Sequence, residues 1–314
     1  MKKVFKVIGI IFLCVILIIV TICLKTASTL KKAYAAWETD WSDEIGTIYR
    51  DIDVDKEEGT GYDLYIPASA NKSENQSLIL YLHGGGFTSG DKADGEMLCK
   101  YFTSKGYICA SVNYTLTDGV HDSNYNKMYE QVLSQVTSIK EKASELGYNI
   151  TEMATSGDSA GGYLALLYAY RAGDDSAIPV KTVFEMSGPT TFDPDEWGIT
   201  ETADVIESVS RLSGKTVTKE MVESGEIDTI IKEISPALLV DSETVPTIVA
   251  YGTKDIIVPV NLKYALIGTL DEFGVDYTYI EFTNSGHGML LDPDKTQEYV
   301  DTVNQYLEKY MDNH

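Results

Sequence analysis

The fold of this chain is decided by two stretches, His83-Gly84-Gly85-Gly86-Phe87 and Gly157-Asp158-Ser159-Ala160-Gly161-Gly162. The second matches the pattern G-x-S-x-G, a sharp strand-to-helix turn that exposes a serine hydroxyl. The first is a glycine-rich loop of the kind that supplies backbone N–H groups to an oxyanion. Each directly follows an apolar run that is typical of a strand, Ser77–Leu82 and Glu152–Ser156. Together the two stretches predict a serine nucleophile beside an oxyanion hole.

From the first glycine-rich stretch onward, predicted strands and helices alternate along the chain. The other strands that we expect are Tyr107–Val112, Val180–Met186, Thr247–Tyr251 and Tyr277–Phe282, after an N-terminal hairpin of Ile45–Val54 and Tyr62–Ile66. The expected helices run from Met128 to Leu146, over Tyr163–Tyr170, over about Pro259–Phe273 and over Thr296–Tyr310. This alternation is typical of an α/β fold with a mostly parallel central sheet and helices on both faces.

Residues 190–245 interrupt the alternation. Pieces of this stretch show helical, amphipathic periodicity, separated by turn residues at Gly198, Gly214 and Gly225. A connection of this length inside a compact domain usually has a function. We expect a small helical cap over the site, and the alternative is an excursion over the surface.

The serine needs a base, because its hydroxyl is a weak nucleophile until a neighbouring group accepts its proton. The chain has four histidines, and in hydrolases built on this turn the acid and then the histidine follow the serine. Two histidines precede Ser159 and another is the terminal residue. His287 remains, in a loop flanked by Gly286 and Gly288, and it is the predicted general base.

The acid that orients this histidine is chosen by its position. Asp255 comes directly after the predicted strand Thr247–Tyr251, at the carboxyl edge of a parallel sheet, where catalytic groups gather. Asp271, Asp276 and Glu281 also lie between the serine and the histidine, but near a helix end or at the next strand. We therefore predict that Asp255 orients His287.

The oxyanion hole follows from the same two stretches. The N–H of Ala160, the residue after the nucleophile, is one predicted donor, and Gly85 and Gly86 are expected to supply the others. We expect His83 to brace the glycine-rich loop rather than to carry protons. Asp158 either braces the turn or tunes the site, and we favour bracing.

These motifs resemble those of the α/β-hydrolase superfamily, within the esterase branch that carries an HGGG loop and a GDSAGG elbow. That branch contains the hormone-sensitive-lipase-like carboxylesterases and the acetyl-xylan and feruloyl esterases. The resemblance runs from about Tyr62 to the C-terminus and also includes Ser89-Gly90-Asp91-Lys92, Val112-Asn113-Tyr114, Ser235-Pro236 and residues 252–259. It implies hydrolysis of short acyl or aryl esters, with carbohydrate esters among them, through an acyl-serine intermediate without a metal or organic cofactor. The long N-terminal helical cap of many lipase-like members is not expected here.

Two other functions are open to the same residues. The triad also cleaves amides in other enzymes, so an amidase or exopeptidase is the first alternative, although no stretch would form a propeller-sized domain that selects peptides. A catalytically silent binding module on the same fold is the second. Such modules tend to lose a member of the triad, and the sequence retains a candidate for each.

The first 36 residues differ from the rest in charge and hydropathy. They hold six lysines and no acid, so the net charge of −23 becomes −29 for residues 37–314. A domain this acidic is not expected to bind nucleic acid or an anionic membrane surface. The remaining residues are expected to form one α/β-hydrolase catalytic domain, and the sequence does not indicate its oligomeric state.

An uncharged apolar run from Val7 to Leu24 is nearly long enough to span a bilayer. We predict an uncleaved N-terminal membrane anchor and a polar tether over residues 25–44. The alternative is a signal peptide that is cleaved after the small-x-small pattern Ala33-Tyr34-Ala35. Both interpretations favour a catalytic domain outside the cytoplasm, and a cytoplasmic domain is the remaining alternative.

The cysteines do not indicate a metal site, because no C-x-x-C pattern or Cys/His cluster occurs. Cys99 and Cys109 are expected to be buried free thiols rather than a disulfide.

Overall fold

The computed structural model describes residues 23–117 and 123–312. Its eight strands are β1 (Gly46–Asp55), β2 (Thr60–Pro67), β3 (Asn75–Leu82), β4 (Ile108–Asn113), β5 (Asn149–Asp158), β6 (Val180–Met186), β7 (Thr247–Gly252) and β8 (Tyr277–Phe282). They form one sheet in the order β1-β2-β4-β3-β5-β6-β7-β8. Strand β2 runs antiparallel to β1 and β4, and every other neighbouring pair is parallel. The predicted hairpin and mostly parallel sheet are therefore confirmed.

Helices cover both faces of the sheet. They are α1 (23–35), α2 (Glu96–Ser104), α3 (Tyr125–Glu145), α4 (Ala160–Arg171), α5 (Thr202–Ser213), α6 (Lys219–Ser224), α7 (Ile227–Glu233), α8 (Pro236–Leu239), α9 (Leu262–Phe273) and α10 (Pro293–Tyr310). Alternate side chains of β3 point to opposite faces, as the two-residue period of a strand requires. Leu78 and Leu80 join the core under α3, α4 and α9, whereas Ile79 and Tyr81 join the core under α2 and α10.

The sheet brings the two glycine-rich stretches to one edge. Parallel strands point in the same direction, so the loops that follow β3, β5, β6, β7 and β8 meet at the carboxyl edge of the sheet. The loop after β3 carries residues 83–87, and the turn after β5 carries Ser159. Asp255 follows β7 and His287 follows β8. The topology alone thus gathers every residue of the predicted site.

Residues 190–245 contain the four short helices α5 to α8. Three of them share a small apolar core of their own, which consists of Val209, Val217, Ile227, Ile230 and Ile231. Helix α8 packs against α4 and α9 instead and connects this group to the main domain. This segment lies over the carboxyl edge, because its residues line a cavity that reaches Ser159.

The predicted apolar run Val7–Leu24 lies outside the described residues, apart from its last two positions. Within residues 23–117 and 123–312, no helix is both long and apolar enough to cross a membrane.

The stretch after this run is more ordered than a tether. It is helical to residue 35, and Ala33 in the last turn of α1 is only 1% exposed. Trp37 follows and packs edge-on against Tyr101, Phe102 and Tyr299. The sequence did not reveal this contact, because one buried alanine and one tryptophan make no periodic pattern. Cys99 and Cys109 are both buried and free, as predicted.

Candidate active site

Ser159, His287 and Asp255 form one continuous chain of hydrogen bonds. The imidazole Nε2 lies 2.7 Å from the Ser159 hydroxyl, and Nδ1 lies 2.7 Å from Asp255 Oδ2. The Asp255 side chain is fully buried, whereas His287 keeps 19% of its side chain exposed. With Nδ1 protonated and hydrogen-bonded to the carboxylate, Nε2 presents a lone pair to the serine hydroxyl. This arrangement can remove the proton of the serine.

The Ser159 backbone adopts the strained geometry of a nucleophile elbow. Its φ is +52°, in the region that non-glycine residues rarely occupy. The turn is held by the N–H of Ser159, which donates to Met186 O at 2.7 Å. A side chain at Gly161 would collide with the carbonyl of Leu82, 2.0 Å from the position of its Cβ. The glycine therefore lets the start of α4 approach β3 closely, and the elbow needs this contact.

Asp255 is held by more than the histidine. Its other oxygen, Oδ1, accepts hydrogen bonds from the N–H groups of Ile257 (2.8 Å) and Val258 (3.0 Å). Burial raises the pKa of this carboxyl, but the hydrogen bonds from His287 and from the two N–H groups outweigh it. The pKa of Asp255 is therefore below its usual value. The group stays charged and keeps its orientation.

The three other acids that were considered for this role lie elsewhere. Asp271 accepts from the Tyr277 hydroxyl on the surface, and Asp276 pairs with Lys309. Glu281 lies 3.6 Å from the ammonium of Lys263. None of the three makes a hydrogen bond to His287 in the described part of the chain.

The glycine-rich loop presents unused N–H groups beside the serine. Gly85 and Gly86 have φ values of +110° and +61°, and among the described residues their N–H groups have no hydrogen-bond acceptor. Ala160 is the first residue of α4, so its N–H has no acceptor inside the helix. The three predicted donors thus border the cavities that meet at Ser159.

His83 and Asp158 stabilise the loop and the elbow. The His83 ring is stacked on Tyr114 at 4.4 Å and its Nδ1 donates to Gly84 O at 2.7 Å. Burial lowers the pKa of His83, so its ring is neutral. Asp158 accepts a hydrogen bond from the Tyr81 hydroxyl, which links the elbow to β3. These contacts match the bracing roles that we expect for both residues.

Asp292 was not singled out from the sequence, yet it holds the loop that carries His287. Its carboxylate accepts from Ser285 Oγ at 2.6 Å and from the Asn284 N–H at 3.0 Å. Burial raises the pKa of Asp292, but the hydrogen bonds from Ser285 and Asn284 lower it by more than burial raises it. The pKa of Asp292 is therefore below its usual value. On the other side, the loop contacts the strand end at Gly252, where a Cβ would lie 2.4 Å from Gly286 O.

A buried carboxyl group lies behind the elbow. Glu185 of β6 is 0% exposed, and its Oε2 accepts from the Gly188 N–H at 2.7 Å. In the part of the chain that the structure describes, its Oε1 has no hydrogen-bond partner. Burial raises the pKa of Glu185 well above its usual value, although hydrogen bonds from Gly188 and Ala250 act in the opposite direction. Burial therefore favours the uncharged form of this carboxyl group beneath the site.

Two cavities meet at Ser159. The larger is here called the entrance cavity and has a volume of about 610 Å³. One part of its lining lies near the end of α1 and consists of Ala33, Tyr34 and Trp37. The other part includes Gly84, Gly85, Asp158, His287 and Gly288. The smaller, here called the cap cavity, has a volume of about 300 Å³ and runs beneath α5. It is lined by Gly86, Ala160 and mostly apolar side chains, but not by His287. An N-terminal helix therefore lines the site, although the sequence led us to expect no long N-terminal cap.

Within residues 23–117 and 123–312, no cluster of three or more His, Cys, Asp or Glu side chains has the arrangement of a metal site.

Comparison with known proteins identifies relatives of this chain. The family model described as BD-FAE matches residues 62–270. Among curated proteins, esterase LipI of Mycobacterium tuberculosis is 29% identical over 138 residues, which are 43% of this chain and 42% of LipI. Carboxylesterase NlhH of the same species is 27% identical over 202 residues, 63% of this chain and 56% of NlhH. The chain thus spans about half the length of these curated relatives.

Solved structures share the architecture at lower identity. A butyrate-bound esterase of Thermogutta terrifontis superposes with a TM-score of 0.64 at 20% identity, covering 79% of this chain and 89% of that one. A truncated carbohydrate esterase from gut microbiota gives a TM-score of 0.67 at 16% identity, covering 86% and 99%. These likenesses show the α/β-hydrolase fold.

Proposed function

Because the chain belongs to the BD-FAE family, we propose that it is a serine carboxylesterase that hydrolyses short acyl or aryl esters, including esters of carbohydrates. The observation that carries this proposal is the unbroken chain of hydrogen bonds from Ser159 through His287 to Asp255. The names of the esterase relatives support the same reaction class.

The first half of the proposed reaction forms the acyl-enzyme. Ser159 Oγ attacks the ester carbonyl carbon while its proton passes to His287 Nε2. The carbonyl oxygen becomes an oxyanion, to which the N–H groups of Gly85, Gly86 and Ala160 donate. The intermediate then collapses: the bond between the carbonyl carbon and the alcohol oxygen breaks, and the alcohol oxygen takes the proton from His287.

The second half repeats these steps with water. His287 accepts a proton from the water molecule, whose oxygen attacks the acyl carbon, and the oxyanion forms in the same place. Collapse breaks the bond to Ser159 Oγ, which recovers its proton from His287. The products are one carboxylic acid and one alcohol, and the enzyme returns to its starting state without any external oxidant or reductant.

We infer from the positions of the two cavities where the two parts of the ester bind. His287 must give its proton to the leaving alcohol, so the alcohol leaves on the side of the imidazole. The ring lines the entrance cavity and not the cap cavity. We therefore place the alcohol in the entrance cavity and the acyl group in the cap cavity. Tyr34, which is 48% exposed beside the entrance cavity, offers an aromatic face that suits a sugar.

A matched set of substrates tests this function. We expect p-nitrophenyl butyrate and acetylated xylan to be hydrolysed, and the p-nitroanilide of butyric acid to react at least about 100-fold more slowly. The reason is that an amide carbonyl is less electrophilic than an ester carbonyl, and the amide nitrogen must be protonated before it leaves. The measurement is kcat/KM for each substrate under the same conditions. Faster cleavage of the anilide would assign the chain to the amidases, and absence of turnover on every substrate would favour a binding module.

We also propose that the apolar run Val7–Leu24 anchors the protein in a membrane, with the catalytic domain outside the cytoplasm. Burial of Ala33 and its place in the wall of the entrance cavity support retention of this segment. Cleavage after Ala35 would remove α1 and open that wall. We expect proteinase added to intact cells to digest the domain, and the untreated mature protein to retain residues before Ala33. A mature protein that begins at residue 36 would support the signal peptide instead.

A further inference from the structure

The cap cavity combines aromatic walls with a single charge. Its apolar lining includes Phe87, Tyr125, Phe192 and Trp197, with the Phe192 and Trp197 rings stacked at 5.6 Å. Among the residues that the structure describes, no acidic side chain lines it, and Arg211 of α5 is its one charged residue. The cavity therefore offers an apolar path that leads from Ser159 to a guanidinium group.

Arg211 differs from the other two arginines of the chain. Arg50 pairs with Asp63 and Glu96, and Arg171 donates to Asn126 Oδ1 at 2.6 Å. Arg211 is exposed, and within residues 23–117 and 123–312 its side chain makes no hydrogen bond and no ion pair. The chain has 48 acidic and 25 basic residues, so its acids outnumber its cations by nearly two to one.

Three acids of the same segment share a groove with Arg211. Glu201, Asp204 and Glu207 line this neighbouring groove, and none of the three lines the cap cavity. None of them forms an ion pair with the guanidinium group in the described structure. Their field weakens the attraction of Arg211 for an anion, but they do not occupy its donors. No side chain in residues 23–117 and 123–312 occupies the five N–H donors of the guanidinium group, which can therefore bind a ligand in the cavity.

We propose that the cap cavity selects acyl groups that carry a terminal carboxylate on an apolar chain, as in half-esters of dicarboxylic acids, and that Arg211 binds this carboxylate. This inference rests on the proposed esterase function, which places the acyl group in the cap cavity. Planar guanidinium and carboxylate groups match in a bidentate pair. Arg211 is a specificity-determining residue in this scheme and takes no part in the bond-making steps.

Substrates matched in chain length test the proposal. The p-nitrophenyl half-ester of adipate is compared with p-nitrophenyl hexanoate, and that of suberate with the octanoate, after subtraction of the uncatalysed rate. For the parent enzyme we expect a higher kcat/KM with the charged member of at least one pair. In Arg211→Gln this charged-to-neutral ratio should fall about fivefold, because a partly solvated ion pair contributes modestly. Arg211→Lys should restore part of the ratio.

Lys219→Gln is the matched control, because Lys219 lies on α6 of the same segment, pairs with Glu223 and lines neither cavity. It removes the same charge and should leave the ratio at the parent value. An unchanged ratio in Arg211→Gln, or an equal fall in Lys219→Gln, overturns the role of Arg211. If the parent protein hydrolyses none of these esters, the esterase function itself is overturned. The two failures are therefore distinguishable.

Discussion

Ser159→Ala is expected to lower kcat/KM for p-nitrophenyl butyrate by at least about 10⁴-fold, because it removes the atom that forms the acyl-enzyme. Water would have to attack the ester directly, with only the oxyanion donors to help it. The fold should be preserved, since the one hydrogen bond of the Ser159 hydroxyl to a described residue is that with His287. The measurement is steady-state hydrolysis together with thermal unfolding of both proteins.

Two controls make this result specific. Ser144→Ala changes an exposed serine of α3 and should retain the parent rate. A fluorophosphonate probe should label the parent protein at Ser159 and leave Ser159→Ala unlabelled. If Ser159→Ala hydrolyses the ester as fast as the parent, the serine mechanism is wrong.

Most of this fold and the core of its site could be predicted because they depend on local patterns. The strands Val180–Met186 and Tyr277–Phe282 lie where the sequence placed them, since buried parallel strands are short apolar runs between turns. The structure brings together the three candidates for the triad, because parallel strands leave the residues that follow them at one edge. The order of the residues along the chain and the small number of histidines were sufficient to select His287.

Other parts of the site depend on contacts between distant segments, which no local pattern records. Asp292 is one of 48 acids, and only its hydrogen bonds to Ser285 and Asn284 distinguish it. The wall that Ala33 and Tyr34 give to the entrance cavity arises because α1 packs against the domain. The role proposed for Arg211 likewise depends on its position in the lining of the cap cavity, which only the structure reveals.

Asp255→Asn is expected to lower kcat/KM by about 10³- to 10⁴-fold, although the substitution is nearly isosteric. The Oδ1 of Asp255 accepts two backbone N–H groups, so an asparagine would keep its carbonyl oxygen there and turn its NH₂ group towards His287 Nδ1. Nδ1 would then have to accept a hydrogen bond, which places the ring proton on Nε2. An imidazole in that state cannot accept the serine proton. Steady-state kinetics with p-nitrophenyl butyrate measure the loss.

Asp271→Asn provides the matched control, because it removes the same charge from an exposed acid that lies between Ser159 and His287 in the chain. It should keep the parent rate, and a loss as large as that of Asp255→Asn would move the orienting role away from Asp255.

A second readout follows from the depressed pKa of Asp255. A carboxyl group whose pKa is lower in the folded state stabilises the fold above its unfolded pKa, and this stability is lost as the pH falls through the folded pKa. Asp255→Asn should therefore lose less of its thermal stability than the parent when both are acidified below about pH 4.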